Sequence, residues 1–166
     1  MNKDQGWLNV YKPKGISSFN AVYKIKKKFN LKKIGHGGTL DPLAEGVLPI
    51  AIGKTTKLIP FINKNIKEYE FKIKWCEQTT TDDSEGKVIA RSLKIPSPLE
   101  INNQIVKLKG NILQKPPLAS AIKINGKKAY QLLRANKNFQ IKERLVYLDE
   151  VTLLDSQKQT SKFFIR

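Results

Sequence analysis

An α+β domain, with helices flanking a mixed and largely antiparallel sheet, is the fold this sequence predicts. Three observations carry that expectation. Helical and strand-like periodicities intermingle along the chain without a regular strand–helix–strand period. Glu68 to Trp75 alternates perfectly, with Tyr69, Phe71, Ile73 and Trp75 on one face and Glu68, Glu70, Lys72 and Lys74 on the other. No repeat, linker or low-complexity tract divides the 166 residues, a length that fits one domain.

The elements follow in order. Gly6 to Tyr11 alternates as a strand and stops at the turn Lys12-Pro13-Lys14-Gly15. Ser17 or Ser18 caps a helix in which Ala21, Val22, Ile25 and Phe29 share one face and Lys24, Lys26, Lys27 and Lys28 the other. Gly35 to Gly46 reads as a glycine-rich loop, Val47 to Ile52 as a strand, and Thr55 to Ile62 as a short helix. After the Glu68–Trp75 strand, Thr79 to Gly86 is a polar, acidic loop. Ser97-Pro98-Leu99-Glu100 is a capping box with Pro at the first helical position, and Gly110 is expected to end that helix. Ser120 to Ile124 reads as a strand entering a tight turn at Asn125-Gly126, and Ala129 to Arg134 as a helical turn or two. Leu145 to Leu154 and Ser161 to Ile165 close the chain as two strands.

Composition narrows the function. Thirty-one Lys and Arg against 14 Asp and Glu leave a formal charge of +17. A chain that buries a core must carry that excess on its surface, which points to a polyanionic partner, nucleic acid ahead of acidic lipid. Only Arg91, Arg134, Arg144 and Arg166 are Arg; the Lys bias, with frequent Asn and Ile, also fits an AT-rich genome. Cys76 and His36 are the only Cys and His, so an intrachain disulfide, a multi-Cys zinc site and a His-rich metal site are all excluded. The N-terminus lacks an apolar signal region and no apolar run approaches bilayer length, so a cytoplasmic protein with no membrane partner is expected.

Two segments invite chemistry. Gly53-Lys54-Thr55 imitates the end of a phosphate-binding P-loop, but the first Gly of that motif would stand at Leu48; the plainer reading is a strand-to-helix turn with Thr55 as cap. The run Gly35-His36-Gly37-Gly38-Thr39-Leu40-Asp41-Pro42-Leu43-Ala44-Glu45-Gly46 is more informative. Glycines let a backbone approach a ligand, and Pro42 keeps Asp41 out of the helical region. A carboxylate on a basic binding surface weakens phosphate binding, which suggests a chemical task. A lone Asp-Pro pair is equally a turn former.

Gly35-His36-x-Gly38-x-Leu40-Asp41-Pro42-Leu43-Ala44-x-Gly46-x-Leu48-Pro49-Ile50 closely resembles the signature loop of the TruB family of tRNA pseudouridine synthases. Other segments join it in the right order: Lys12-Pro13-x-Gly15-Ile16-Ser17-Ser18, Lys67-Glu68-Tyr69, Thr79-x-Thr81-x-Asp83-x-x-Gly86, and Gln114-x-Pro116-Pro117-x-x-Ser120-Ala121-x-Lys123-x-x-Gly126-x-x-x-Tyr130. The resemblance implies a pseudouridine synthase-like fold and isomerisation of the T-loop uridine of tRNA, with base flipping and neither metal nor organic cofactor. It makes Asp41 the catalytic carboxylate, and His36, Tyr69, Gly38 and Leu40 substrate-binding residues. His36 would support the flipped nucleotide, or hydrogen-bond its own loop. Tyr69 would pack against the uracil, or be a core aromatic. Candidate contacts to the RNA backbone are Lys12, Lys24, Lys27, Lys28, Lys64, Lys67, Lys127 and Lys128, although Lys12 with Pro13 also reads as shaping the loop beneath the site. The partner would be the T-arm stem-loop, bound by a monomer.

The chain departs from the family pattern in two places. Gly37 stands where the family usually has Thr. At the end, Ser161-Lys162-Phe163-Phe164-Ile165-Arg166 has the Ile-Arg of a family motif but not its Lys-Gly-Thr, and Phe where Tyr is expected. Arg166 therefore reads as lying in the strand before that motif. Residues 1–166 are then a catalytic domain incomplete at its C-terminus, with the family's active-site Arg, second Tyr and RNA-binding PUA domain absent. The alternative is a truncated, non-catalytic RNA-binding or RNA-folding relative.

Overall fold

A computed structural model of the chain describes residues 5–62, 66–120 and 122–166. The chain divides into two compact units, Met1–Ile66 and Lys67–Arg166. Every strand pairing among the described residues is antiparallel, in five small sheets with helices against them.

The first unit is built on strands β1 (Gly6–Lys12), β2 (Ile34–His36) and β3 (Gly46–Ile52), in the order β1-β3-β2. Helix α1 (Ser18–Lys28) packs Ala21 and Val22 onto Leu48 and Ile50 of β3, with Val10, Ile16, Ile25 and Ile34 around them. Leu48 and Ile50 are fully buried, each contributing about 1.5–3 kcal/mol by transfer from water. Ser17 caps α1 by accepting from the Asn20 amide at 3.1 Å. Lys26, Lys27 and Lys28 fill its last turn, where the helix dipole favours cations. Phe29 does not share the buried face: it is the C-cap, outside helical geometry, and 61% exposed. Gly35 and His36 are not loop but strand, because Ile34, Gly35 and His36 pair with Ile52, Ala51 and Ile50. The expected helix near Thr55 is a 3-10 helix, Gly53–Phe61, which contains Pro60 and so lacks one amide donor. Thr55 does not cap it; the Thr56 hydroxyl donates to the Gly53 carbonyl at 2.8 Å.

The second unit holds β4 (Tyr69–Lys74), β5 (Glu77–Thr79), β6 (Val88–Arg91), α2 (Pro98–Ile105), β7 (Gly110–Gln114), β8 (Lys123–Ile124), β9 (Lys127–Lys128), α3 (Ala129–Arg134), β10 (Arg144–Leu148), β11 (Val151–Gln157) and β12 (Thr160–Ile165). The ladder β11-β12-β4 packs Val151 and Phe163 onto Ile101 and Ile105 of α2. The alternation of Glu68–Trp75 serves this core: Phe71 stacks on Phe163 at 5.5 Å, and Trp75 meets the same ring edge-on. The Trp75 indole donates to Ser161 Oγ at 2.8 Å, satisfying a polar group that burial would otherwise penalise.

Three expectations need correcting here. Helix α2 ends at Ile105 and tightens into a 3-10 turn at Val106–Leu108; Gly110, at φ +86°, instead opens β7. Leu145–Leu154 is two strands, since β10 pairs with β7 while β11 pairs with β12, and Asp149 and Glu150 between them both donate to the Arg166 carbonyl. Within Ser120–Ile124, where Ala121 lies outside the described residues, the described strand is Lys123–Ile124, and the turn is as expected: Asn125 and Gly126 both have positive φ, the requirement of a two-residue type I′ hairpin.

Candidate active site

Asp41 lies in the loop between β2 and β3, and the segment that joins β1 to α1 ties that loop down at successive points. Ser18 is 2% exposed, and its hydroxyl both donates to the Leu40 carbonyl and accepts from the Leu40 amide, each at 2.9 Å. The Gly15 amide donates to the Pro42 carbonyl at 2.9 Å. Lys12 Nζ donates to the Ala44 carbonyl at 2.6 Å, and to Pro13 and Ile16 at 3.0 and 2.9 Å. The residues on both sides of Asp41 are thus fixed by backbone hydrogen bonds. Its own carbonyl accepts from the Ala44 amide at 3.0 Å, closing a turn with Pro42 in the second position. The turn-forming role and the presentation of a carboxylate therefore coexist. Asp41 is exposed, and among the described residues no hydrogen bond or ion pair engages its carboxylate.

Lys12 is corrected by its surroundings. It is 0% exposed, with its ammonium donating to three carbonyls, so it cannot also meet a phosphate. Its work is to shape the loop, with Pro13 beside it. A buried ammonium is tolerated here because each of its three protons has an acceptor.

His36 ends β2, and its Nδ1 bonds the Gly38 carbonyl. A carbonyl only accepts, so Nδ1 carries the proton and Nε2 points away with its lone pair or second proton. The loop-bonding role is realised, and the other ring nitrogen is left for a ligand. Gly37 has a local reason: a Cβ there would stand 2.7 Å from Ile62 Cδ1, and its amide donates to Pro49 at 2.7 Å. Gly38 has no such neighbour, since a Cβ on it would meet nothing within 4 Å. Glu45 lies beside Tyr11 and Lys14, and the hydrogen bond from Tyr11 holds its phenol above the ordinary range.

Tyr69 opens β4 in the second unit, opposite Ile165 and 45% exposed. Lys24, Lys27 and Lys28 lie exposed on α1, and Lys67 and Lys127 are exposed in the second unit. The Lys128 ammonium lies 5.6 Å from the Tyr130 ring centre. Lys64 falls outside the described residues. Arg166 is engaged within its own unit: its guanidinium meets Asp149 at 2.8 Å, Glu150 at 3.5 Å and Glu68 at 3.9 Å. The Asp149 hydrogen bond raises its pKa above the ordinary value. Among the described residues no cluster of His, Cys, Asp and Glu could hold a metal ion, and no helix is long and apolar enough to cross a membrane.

A family model described as TruB family pseudouridylate synthase (N terminal domain) matches residues 26–166. The chain belongs to this family. That match contains His36, Asp41 and Tyr69. Curated relatives named tRNA pseudouridine synthase B extend the similarity toward the N-terminus. The Ehrlichia chaffeensis protein is 45% identical over 95% of this chain and 53% of its own length. The Wolbachia pipientis protein is 49% identical over 90% of this chain and 42% of its own. This TruB-family chain thus spans about half the length of the curated relatives it matches. Among solved structures, a chain of a Cbf5-Nop10-Gar1 complex superposes with a TM-score of 0.66 at 27% identity, over 96% of this chain and 38% of that one. A chain of an H/ACA RNP bound to a substrate RNA shares the fold, with a TM-score of 0.64 at 24% identity, over 96% and 37%. The α+β, largely antiparallel architecture is therefore that of the pseudouridine synthases.

What the sequence left unread was Ser18. The sequence shows it as a possible helix cap and as the last residue of the Lys12–Ser18 segment, yet Ser17 is the cap and Ser18 holds the backbone next to Asp41. The signal was the presence of the Lys12–Ser18 segment in the same chain as the Asp41 loop, which spacing alone does not turn into a contact.

Proposed function

We propose that residues 1–166 belong to the catalytic domain of a tRNA pseudouridine synthase that isomerises the T-loop uridine, with Asp41 as the catalytic carboxylate. The observation that carries this reading is the Asp41 loop: backbone ties at Leu40, Pro42 and Ala44 surround a carboxylate that no protein group engages among the described residues. A residue with only a turn to form would not need its neighbours fixed on both sides. The names of the TruB-family relatives support the same substrate.

The reaction breaks the bond from ribose C1′ to uracil N1 and makes a bond from C1′ to C5. N1 gains a proton and C5 loses one, so the atoms balance without any co-reactant. An ionised Asp41 starts the step by attacking C1′ or by removing a ribose proton; each needs one positioned carboxylate and no cofactor. The uridine must leave its stack to be reached. His36 Nε2 is proposed to support the disturbed nucleotide and Tyr69 to pack against the uracil. Gly38, where no neighbour crowds the backbone, and Leu40 complete the proposed substrate contacts. Lys24, Lys27, Lys28, Lys64, Lys67, Lys127 and Lys128 are proposed contacts to phosphates of the T-arm. A cytoplasmic monomer fits this assignment. Incubating the protein in excess over a T-arm stem-loop and detecting pseudouridine by carbodiimide labelling tests it. Product is expected from a protein that carries these residues within the family's full catalytic domain, and its absence from that protein, folded and RNA-saturated, contradicts the proposal.

A further inference from the structure

Helix α1 turns Ser18, Ala21, Val22 and Ile25 toward the first unit's core. At about 100° per residue, the opposite side presents Phe19, Asn20, Tyr23, Lys24 and Lys27, with Lys26 on its flank one turn from Tyr23. Phe19 and Tyr23, one turn apart, are 70% and 56% exposed. Their rings stack with centroids 6.4 Å apart and planes 14° from parallel. The surrounding charge has a single sign. Lys24, Lys26, Lys27, Lys28, Lys32 and Lys33 follow one another between Ser18 and Leu40, and no Asp or Glu lies among them. No lysine of α1 has a carboxylate partner among the described residues.

Two stacked aromatics held in water on an otherwise basic helix gain nothing from the core, because α1 has already spent its apolar face there. We propose that this side of α1 is a platform for an unpaired stretch of RNA, with bases stacking on Phe19 and Tyr23 and phosphates meeting Lys24, Lys26 and Lys27. Flat rings offer a π-face to any base, and flanking ammonium groups follow the backbone. A duplex hides its base faces, so it can use the lysines but not the rings. An acidic membrane would call for a continuous apolar face, and here lysines interrupt the outward side after two rings. The inference rests on RNA being the polyanionic partner and not on the chemistry of Asp41.

Fluorescence anisotropy with a labelled oligouridine, and separately with an RNA duplex, tests it on the whole chain. Phe19→Ala/Tyr23→Ala is expected to weaken oligouridine binding at least about tenfold, since base–aromatic stacking contributes about 1–3 kcal/mol per base. Duplex binding should not change. Phe19→Leu/Tyr23→Leu should show the same loss, because leucine keeps apolar area but offers no π-face. Lys24→Gln/Lys27→Gln should reduce the salt slope on oligouridine by about 1.4, two contacts at about 0.7 each. Circular dichroism checks that these exposed substitutions leave the fold intact. Oligouridine affinity unchanged in the ring variants overturns the proposal. So does equal loss on the duplex, wild-type protein that fails to bind oligouridine, or ring-dependent binding confined to phosphatidylserine vesicles. Asp41→Asn should leave this platform's binding untouched, so loss of the isomerase reading and loss of this one are separate results.

Discussion

Replacing Ser18 with Ala perturbs the loop of Asp41 without touching Asp41. The hydroxyl makes two hydrogen bonds to Leu40, one to its carbonyl and one from its amide, both at 2.9 Å. Its removal leaves both backbone groups without their partner. An unsatisfied buried group costs about 1–3 kcal/mol, and since Leu40 is only half-buried the lower end applies to each, for a total of about 2–3 kcal/mol. Ala favours the helix by a few tenths of a kcal/mol over Ser, a small offset, and the Ser17 cap is retained. Native-state hydrogen exchange reads the result at the residue concerned. The Leu40 amide should exchange about 30- to 150-fold faster, the equivalent of 2–3 kcal/mol at about 1.4 kcal/mol per tenfold, with protection in α2 and β12 unchanged. Isomerisation under single-turnover conditions should fall with it, because the backbone beside the carboxylate has lost its tie; a displacement of about 1 Å can cost about 100-fold. RNA affinity should hold. Leu40 exchange equal to wild type would refute the clamp, and a normal chemical rate with fast exchange would refute its importance to Asp41.

Lys12→Met should destabilise the first unit by roughly 2–4 kcal/mol, leaving three carbonyls without their donor, while the salt slope of RNA binding stays as in wild type. Urea unfolding and a salt titration measure the two halves. Gly37→Ala should cost about 1 kcal/mol by pressing on Ile62 Cδ1, and Ile62→Val, which removes that methyl, should relieve it; a double-mutant cycle in urea gives the coupling. Glu100 in the α2 capping box has its pKa lowered to about 2, first by the Ser97 amide and then by Lys94 and the Ser97 hydroxyl. A depressed carboxylate stabilises the fold above its ordinary value of 4.5, and that contribution is lost as pH falls toward about 2. Glu100→Gln should therefore flatten the acid limb of α2 stability in that window, read by hydrogen exchange.

The most legible parts of the fold were those written locally. The alternation of Tyr69, Phe71, Ile73 and Trp75 produced β4, and Ser97 with Glu100 produced a complete capping box. Asn125-Gly126 specified its hairpin through positive φ at both positions. The parts that misled depend on distant partners. Strand β7 was missed because Gly110 looks like a helix terminator until its pairing with β10 is known. The break in Leu145–Leu154 comes from backbone bonds to Arg166, far along the chain. In the candidate site, the Asp41 turn was readable from Asp-Pro, and the dense loop pattern placed that residue in a family. Lys12 with Pro13 was readable as shaping that loop, but nothing in a lysine's neighbours in sequence announces that three carbonyls will surround its ammonium and withhold it from phosphates.

The most direct test of Asp41 as the catalytic carboxylate compares wild type with Asp41→Asn on a T-arm stem-loop, with protein in saturating excess and pseudouridine measured at each time point. Circular dichroism and RNA affinity should match between the two proteins, because the Asp41 side chain has no partner to lose among the described residues. Carried within the family's full catalytic domain, the wild-type sequence should form pseudouridine and Asp41→Asn should form none. Product from the Asn variant at the wild-type rate would contradict the account.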